Sequence, residues 1–127
     1  MFEYLKFNVD SWTEGSLEVS ISNKNGIISA DGNVYSILSI FDDIEKRVLN
    51  ERDSKTYIKK IEKLNIYSWS DTYSDNSVTD GSSLVIKYKE NDKSEKLITC
   101  HNSYPDNFNK LLNIMKVITK YNPKKFF

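Results

Sequence analysis

Cys100 and His101 are the only cysteine and the only histidine in the 127-residue chain. They are the one place where a thiol and an imidazole could act together. Nucleophilic catalysis needs the imidazole within hydrogen-bond reach of the sulfur. The two are sequence neighbours in a run, Leu97 to His101, that reads as a strand. Successive strand residues point to opposite faces, so the pair cannot adopt that geometry. The sequence predicts a buried small thiol and a surface or strand-end imidazole. Tetrahedral zinc needs three or four Cys, His or carboxylate ligands, which one Cys and one His do not supply. Asp71, Asp75 and Asp80 lie in one polar stretch, but their spacing is not that of a calcium loop, where ligands alternate. Asp residues in such a loop more often make turn hydrogen bonds. Asp42-Asp43 is a paired carboxylate, yet adjacent side chains diverge, and a turn or cap is the simpler expectation. The glycines are isolated, so no phosphate-cradling loop is present. An unrecognised catalytic site would have to draw on His101, Tyr104 and Asp80. No cofactor and no metal are expected.

Those residues sit in a chain long enough to bury a core without disulfide or metal support, and short enough to be one domain. Hydrophobic residues make up 39% and charged residues 28%, a globular balance rather than a disordered one. Eight Tyr and six Phe give a high aromatic share, suited to half-buried surfaces. The 18 basic and 18 acidic residues cancel, which argues against a general nucleic-acid binder. They are unevenly placed, however. Residues 65–81 hold three Asp and no Lys or Arg, while the last stretch carries Lys110, Lys116, Lys120, Lys124 and Lys125 against Asp106. An acidic loop and a basic C-terminal helix are predicted. A lone cysteine fits a reducing compartment. Residues 1–6 lack the basic and apolar regions of a signal peptide, and no apolar run is long enough to span a bilayer. A cytoplasmic location without membrane contact is the expectation.

Hydrophobic periodicity supplies the elements. Leu5, Phe7 and Val9 alternate with polar residues, as do Leu17, Val19 and Ile21, so both segments read as half-buried strands. Asn23-Lys24-Asn25-Gly26 is a hairpin signal, and Ile27-Ile28 opens a third strand. Asp31-Gly32 reads as a second turn. Residues 34–49 fit two short strands with a turn near Asp42-Asp43, or a helix. Residues 51–64 carry a helical stripe of Tyr57, Ile58, Ile61 and Leu64, with Asn50 or Asp53 as cap. A polar loop anchored by Trp69 and Tyr73 follows. Asp80-Gly81 then turns the chain into a strand with Leu84, Ile86 and Tyr88 on one side, and Leu97 to His101 is its partner. Pro105 is read as opening the last helix, whose buried face is Phe108, Leu111, Leu112, Met115 and Ile118, and Asn122-Pro123 as ending it. The predicted fold class is α+β: a two-layer sandwich in which two amphipathic helices pack on one face of an antiparallel sheet.

The second half resembles a pattern found in small bacterial proteins of unassigned activity, many from low-GC Gram-positive genomes. The matching residues are Leu64-Asn65-Ile66, Trp69, Tyr73, Asp80-Gly81, the strand Leu84 to Tyr88, and then Asn102, Tyr104-Pro105 and Asn107-Phe108. Two positions depart from it. A Trp three residues after Asp-Gly is Leu84 here, and a Gly two residues before the Asn is Cys100. The resemblance is immunity-protein-like and implies an α+β fold.

Three functions are weighed. The first is an immunity- or antitoxin-type module that neutralises a partner toxin by direct binding. It fits a small chain without a catalytic set and with many Tyr available for an interface. An acidic loop would speed encounter with a basic partner. Trp69, Asp71, Tyr73, Asp75 and Asp80 are the expected interface. Trp69 serves equally well as a lid over the core edge, and Trp12 as a surface or edge residue. The second function is a small-ligand or surface-polymer binding domain, which would need a deep pocket lined by Tyr and Trp. The third is the enzyme already described. The first is preferred.

Overall fold

A computed structural model describes residues 1–36, 41–77 and 81–127, with backbone alone at 41–43. Seven strands form one open sheet. They are β1 (Phe2–Ser11), β2 (Gly15–Lys24), β3 (Ile27–Tyr35), β4 (Phe41–Val48), β5 (Thr72–Ser74), β6 (Ser82–Glu90) and β7 (Lys96–His101). Helix α1 (Glu51–Lys63) follows β4, and α2 (Phe108–Thr119) follows β7. The sheet order is β4-β3-β2-β1-β6-β7-β5. Every pairing is antiparallel except β5 with β7, which is parallel. The fold is thus mixed α and β, as the periodicity predicts.

The period-2 alternation decides which side chains are buried. Phe7 lies opposite Val19 on one neighbour and Ile86 on the other, and all three are buried. Lys6 lies opposite Ser20 and Lys87, and all three are exposed. A one-residue slip would exchange these two sets, so burial of the apolar set fixes the register.

The helices take their positions from specific contacts. Asn50 caps α1 by accepting from Asp53 N at 2.7 Å, as an Asn N-cap does. Ser54, Ile58 and Ile61 are the buried residues of α1, which packs against β3 and β1. The Ser54 hydroxyl is fully buried and accepts from Ile28 N at 2.9 Å, tying the first turn of α1 to the start of β3. In α2 the predicted face, Phe108, Leu111, Leu112, Met115 and Ile118, is buried, and α2 packs on β4 and β3. From β4 the Arg47 guanidinium donates to Val117 O and Ile118 O at 3.1 and 2.9 Å. These are carbonyls of the last turn of α2, which lack intrahelical partners.

Several local expectations are corrected. Asp31-Gly32 is not a turn, because β3 runs through it to Tyr35. Gly32 instead marks a register irregularity against β4, and a Cβ there would lie 2.1 Å from Glu18 O of β2. The glycine signals close backbone approach. Asp42-Asp43 is not a turn either: both residues pair with β3, opposite Val34 and Asn33. The expected strands of residues 34–49 are otherwise β3 and β4, with 37–40 outside the described residues. The polar loop after α1 holds a 3-10 turn (Ile66–Ser68) and β5. Pro105 precedes α2 rather than opening it, since Phe108 N bonds Pro105 O and the helix begins at Phe108. The helix ends at Thr119, with Lys120 left-handed, and Asn122-Pro123 starts a separate 3-10 turn. No described helix is long and apolar enough to cross a membrane.

Candidate functional site

The residues singled out for chemistry fall on different faces. Cys100 is buried and His101 exposed, as neighbours on β7 must be. Burial pushes the Cys100 thiol up to about 11, which leaves it un-ionised and a poor nucleophile near neutral pH. His101 Nδ1 lies 3.2 Å from Ser83 Oγ on the neighbouring strand. That Ser–His contact is exposed. A nucleophile and base need a third group to orient the base. The residue paired with His101 on its other side is Ser74, not a carboxylate.

Tyr104 belongs elsewhere. Its hydroxyl lies 3.2 Å from Ser82 Oγ, and its ring stacks on Phe108 at 4.6 Å. Desolvation raises its hydroxyl above the ordinary phenol value. Ser82 is buried whereas Ser83 is exposed, so these successive residues of β6 put Tyr104 and His101 on opposite sides of the sheet. The structure does not bring His101 and Tyr104 together, and Asp80 lies outside the described residues. Among the described residues no group of three Cys, His, Asp or Glu is placed to hold a metal ion.

The expected interface residues are mostly engaged within the fold. Trp69 is buried and packed in the hydrophobic core. Tyr73 is half-buried in β5 and its hydroxyl accepts from Ser70 N at 2.9 Å. Asp71 is exposed and pairs with Lys96 at 2.6 Å. Asp75 accepts from Ser77 N and Ser77 Oγ, and those bonds hold its carboxyl below the usual range. This is the turn-stabilising role that Asp plays in polar loops. Asp71, Tyr73 and Asp75 therefore make their contacts in and around β5.

A different surface has the features of a contact site. The exposed sheet face presents Asp10 of β1, Glu18 of β2 and Asp31 of β3. None of the three carboxylates joins an ion pair among the described residues. At one end of this face the β1–β2 turn projects Trp12, which is 73% exposed. Trp12 N donates to Gly81 O at 3.1 Å, so the turn is pinned to the start of β6. Tyr35 of β3 is half exposed and pairs with Ser16 just beyond that turn. Alternation in the sequence marks Glu18 as outward, and the hairpin signal at residues 23–26 sets β3 beside β2, but nothing in the sequence reveals that Gly81 holds the Trp12 turn.

Both lateral edges of the sheet are guarded. The edge strand β5 has three residues, and the opposite edge β4 reads Phe-Asp-Asp-Ile-Glu-Lys-Arg-Val with an irregular register. Short, charged or bulged edges discourage strand addition. No protein-family model and no curated protein matches the sequence.

Proposed function

We propose that this chain is a protein-binding module of the immunity or antitoxin type, which neutralises a partner toxin by direct contact in the cytoplasm. The observation that carries the reading is Trp12. A large aromatic side chain stands 73% exposed on a turn whose backbone is tied down, at one end of a sheet face that bears Asp10, Glu18 and Asp31 together with Lys6 and Lys87. Trp is the residue most enriched in interface hot spots, and a rigid anchor loses little entropy on binding. Asp10, Glu18 and Asp31 would steer a basic partner toward that anchor.

The architecture supports the same reading. We take the molecule as a two-layer sandwich with both amphipathic helices on one sheet face. In that arrangement the other face is left for a partner. A small-ligand role would call for an aromatic-lined pocket. The groove between the β2–β3 turn and α1, about 590 Å³, is lined by Met1, Asn25, Ile27, Ile58 and charged residues, with no Tyr or Trp.

The test is co-expression with the toxin-like product of an adjacent gene, scored by co-purification and by growth. The expected result is a stoichiometric complex and rescued growth, both lost in Trp12→Ala and weakened in Glu18→Lys, with thermal midpoints unchanged. Absence of a complex with the native chain would remove the reading.

A further inference from the structure

The helices carry charge opposite to that of the rest of the molecule. Residues 51–63 and 106–127 hold ten basic and four acidic side chains, and the remaining residues hold eight basic and fourteen acidic. Three of these basic residues border the cleft between α1 and α2. This cleft has a volume of about 330 Å³. Lys60 and Lys63 rim it from α1, one turn apart, and Lys110 rims it from α2. Its apolar lining is Leu64 and Ile114, both of which retain a little exposed surface. Asn107 and Asn113 add amides that can both donate and accept hydrogen bonds.

None of the three lysines joins an ion pair among the described residues, and Lys60 rests 5.1 Å over the ring of Tyr57. No acidic residue lines the cleft. Three cations around one concavity repel one another, and an anionic occupant relieves that repulsion. The lining also selects among anions. Free phosphate would meet the lysines but leave the apolar floor uncovered. Single-stranded nucleic acid relies on aromatic platforms, which this lining lacks. A peptide offers carboxylates for the rim, an apolar side chain for Leu64 and Ile114, and backbone groups for the two Asn amides.

We propose that the α1–α2 cleft is a docking groove for an acidic amphipathic peptide segment of a partner protein. It lies on the helices, away from the exposed sheet face carrying Trp12, and does not depend on the function proposed for that face.

The experiment is a nitrogen-15 amide titration of the full chain. The probe is a synthetic peptide of about four helical turns with Leu on one face and Glu elsewhere, the arrangement a groove-bound helix uses. Saturable shifts are expected at Leu64, Asn107, Lys110, Asn113 and Ile114. Affinity should fall about tenfold in Lys63→Glu/Lys110→Glu and decline with added salt. Trp12→Ala should bind the peptide as the native chain does, which separates this site from the sheet face. Because the reversed lysines are exposed, an unchanged spectrum away from the cleft will show that the variant is folded. Three results overturn the proposal: no localised shifts, equal shifts with a peptide in which Lys replaces Glu, or tighter binding at the same amides by inorganic phosphate or phosphatidylglycerol vesicles.

Discussion

A Cβ atom placed on Gly81 would lie 1.7 Å from Oδ1 of Asn102. That oxygen accepts from Ser82 N at 3.0 Å, so the Asn102 amide occupies the space a side chain at 81 would need. Asn102 itself is left-handed at φ 57, a conformation Asn tolerates better than most residues. The two positions thus specify each other where β7 ends and β6 begins. Gly81→Ala should destabilise the fold by about 1–3 kcal/mol, through the clash with Asn102 and through the strain of a side chain at φ 157. The double variant Gly81→Ala/Asn102→Gly removes the clash while keeping the positive φ accessible. It should be less unstable than the two single changes predict by addition. Urea unfolding of all four chains measures this coupling, and strict additivity would show that the contact is not the cause.

Ser54 makes a second prediction, about α1. Its buried hydroxyl is the acceptor for Ile28 N, and Leu49 N bonds Ile28 O at 2.9 Å close by. Ser54→Ala leaves the Ile28 N–H buried without a partner. The expected cost is about 1–3 kcal/mol. Hydrogen exchange at Ile28 should accelerate more than at Phe7 in the sheet centre. A loss spread evenly over both sites would point instead to a general loosening of the fold.

The two tryptophans allow an optical check on placement, since Trp69 is 7% exposed and Trp12 is 73% exposed. Trp12→Phe should leave blue-shifted emission that acrylamide quenches poorly. Trp69→Phe should leave red-shifted, readily quenched emission and a less stable protein. Loss of the large buried ring lowers stability, whereas an exposed substitution at position 12 should fall within about 0.5 kcal/mol of wild type.

How far the sequence foretells this arrangement depends on the range of the interaction involved. Leu17, Val19 and Ile21 announce β2 because alternation is local, and the α2 stripe announces its buried face for the same reason. Asp31-Gly32 misleads because its cause is distant. The glycine answers a carbonyl of β2, and turn chemistry is only the commoner reason for that dipeptide. Asp71 and Asp75 look like a free acidic patch until Lys96 and Ser77 are placed beside them. The Trp12 end is invisible for the converse reason: nothing near Trp12 in sequence shows that Gly81 holds its backbone or that Tyr35 lies just past the turn. Pairings across a sheet are not encoded in local periodicity.

The last prediction concerns alkaline stability. The Cys100 thiol rises from 9.0 to about 11 on burial, and the Tyr4 hydroxyl rises from 10.0 to about 12, chiefly because it donates to the Glu95 carboxylate. Tyr88, desolvated and bonded to Glu90, is raised further in the same direction. In each case the unfolded chain releases its proton at lower pH than the folded chain does. Between the two values the unfolded state binds fewer protons, so stability falls as pH rises. Full stability from these groups should hold below about pH 9 and decline from there as pH passes through about 11 and 12. Cys100→Ala deletes the group that ionises earliest in the unfolded chain. It should lower stability at every pH through the truncated side chain, yet show a shallower decline between pH 9 and 11. Urea midpoints across that range for both proteins decide the matter. Parallel declines would mean that Cys100 is not desolvated as its buried position on β7 requires.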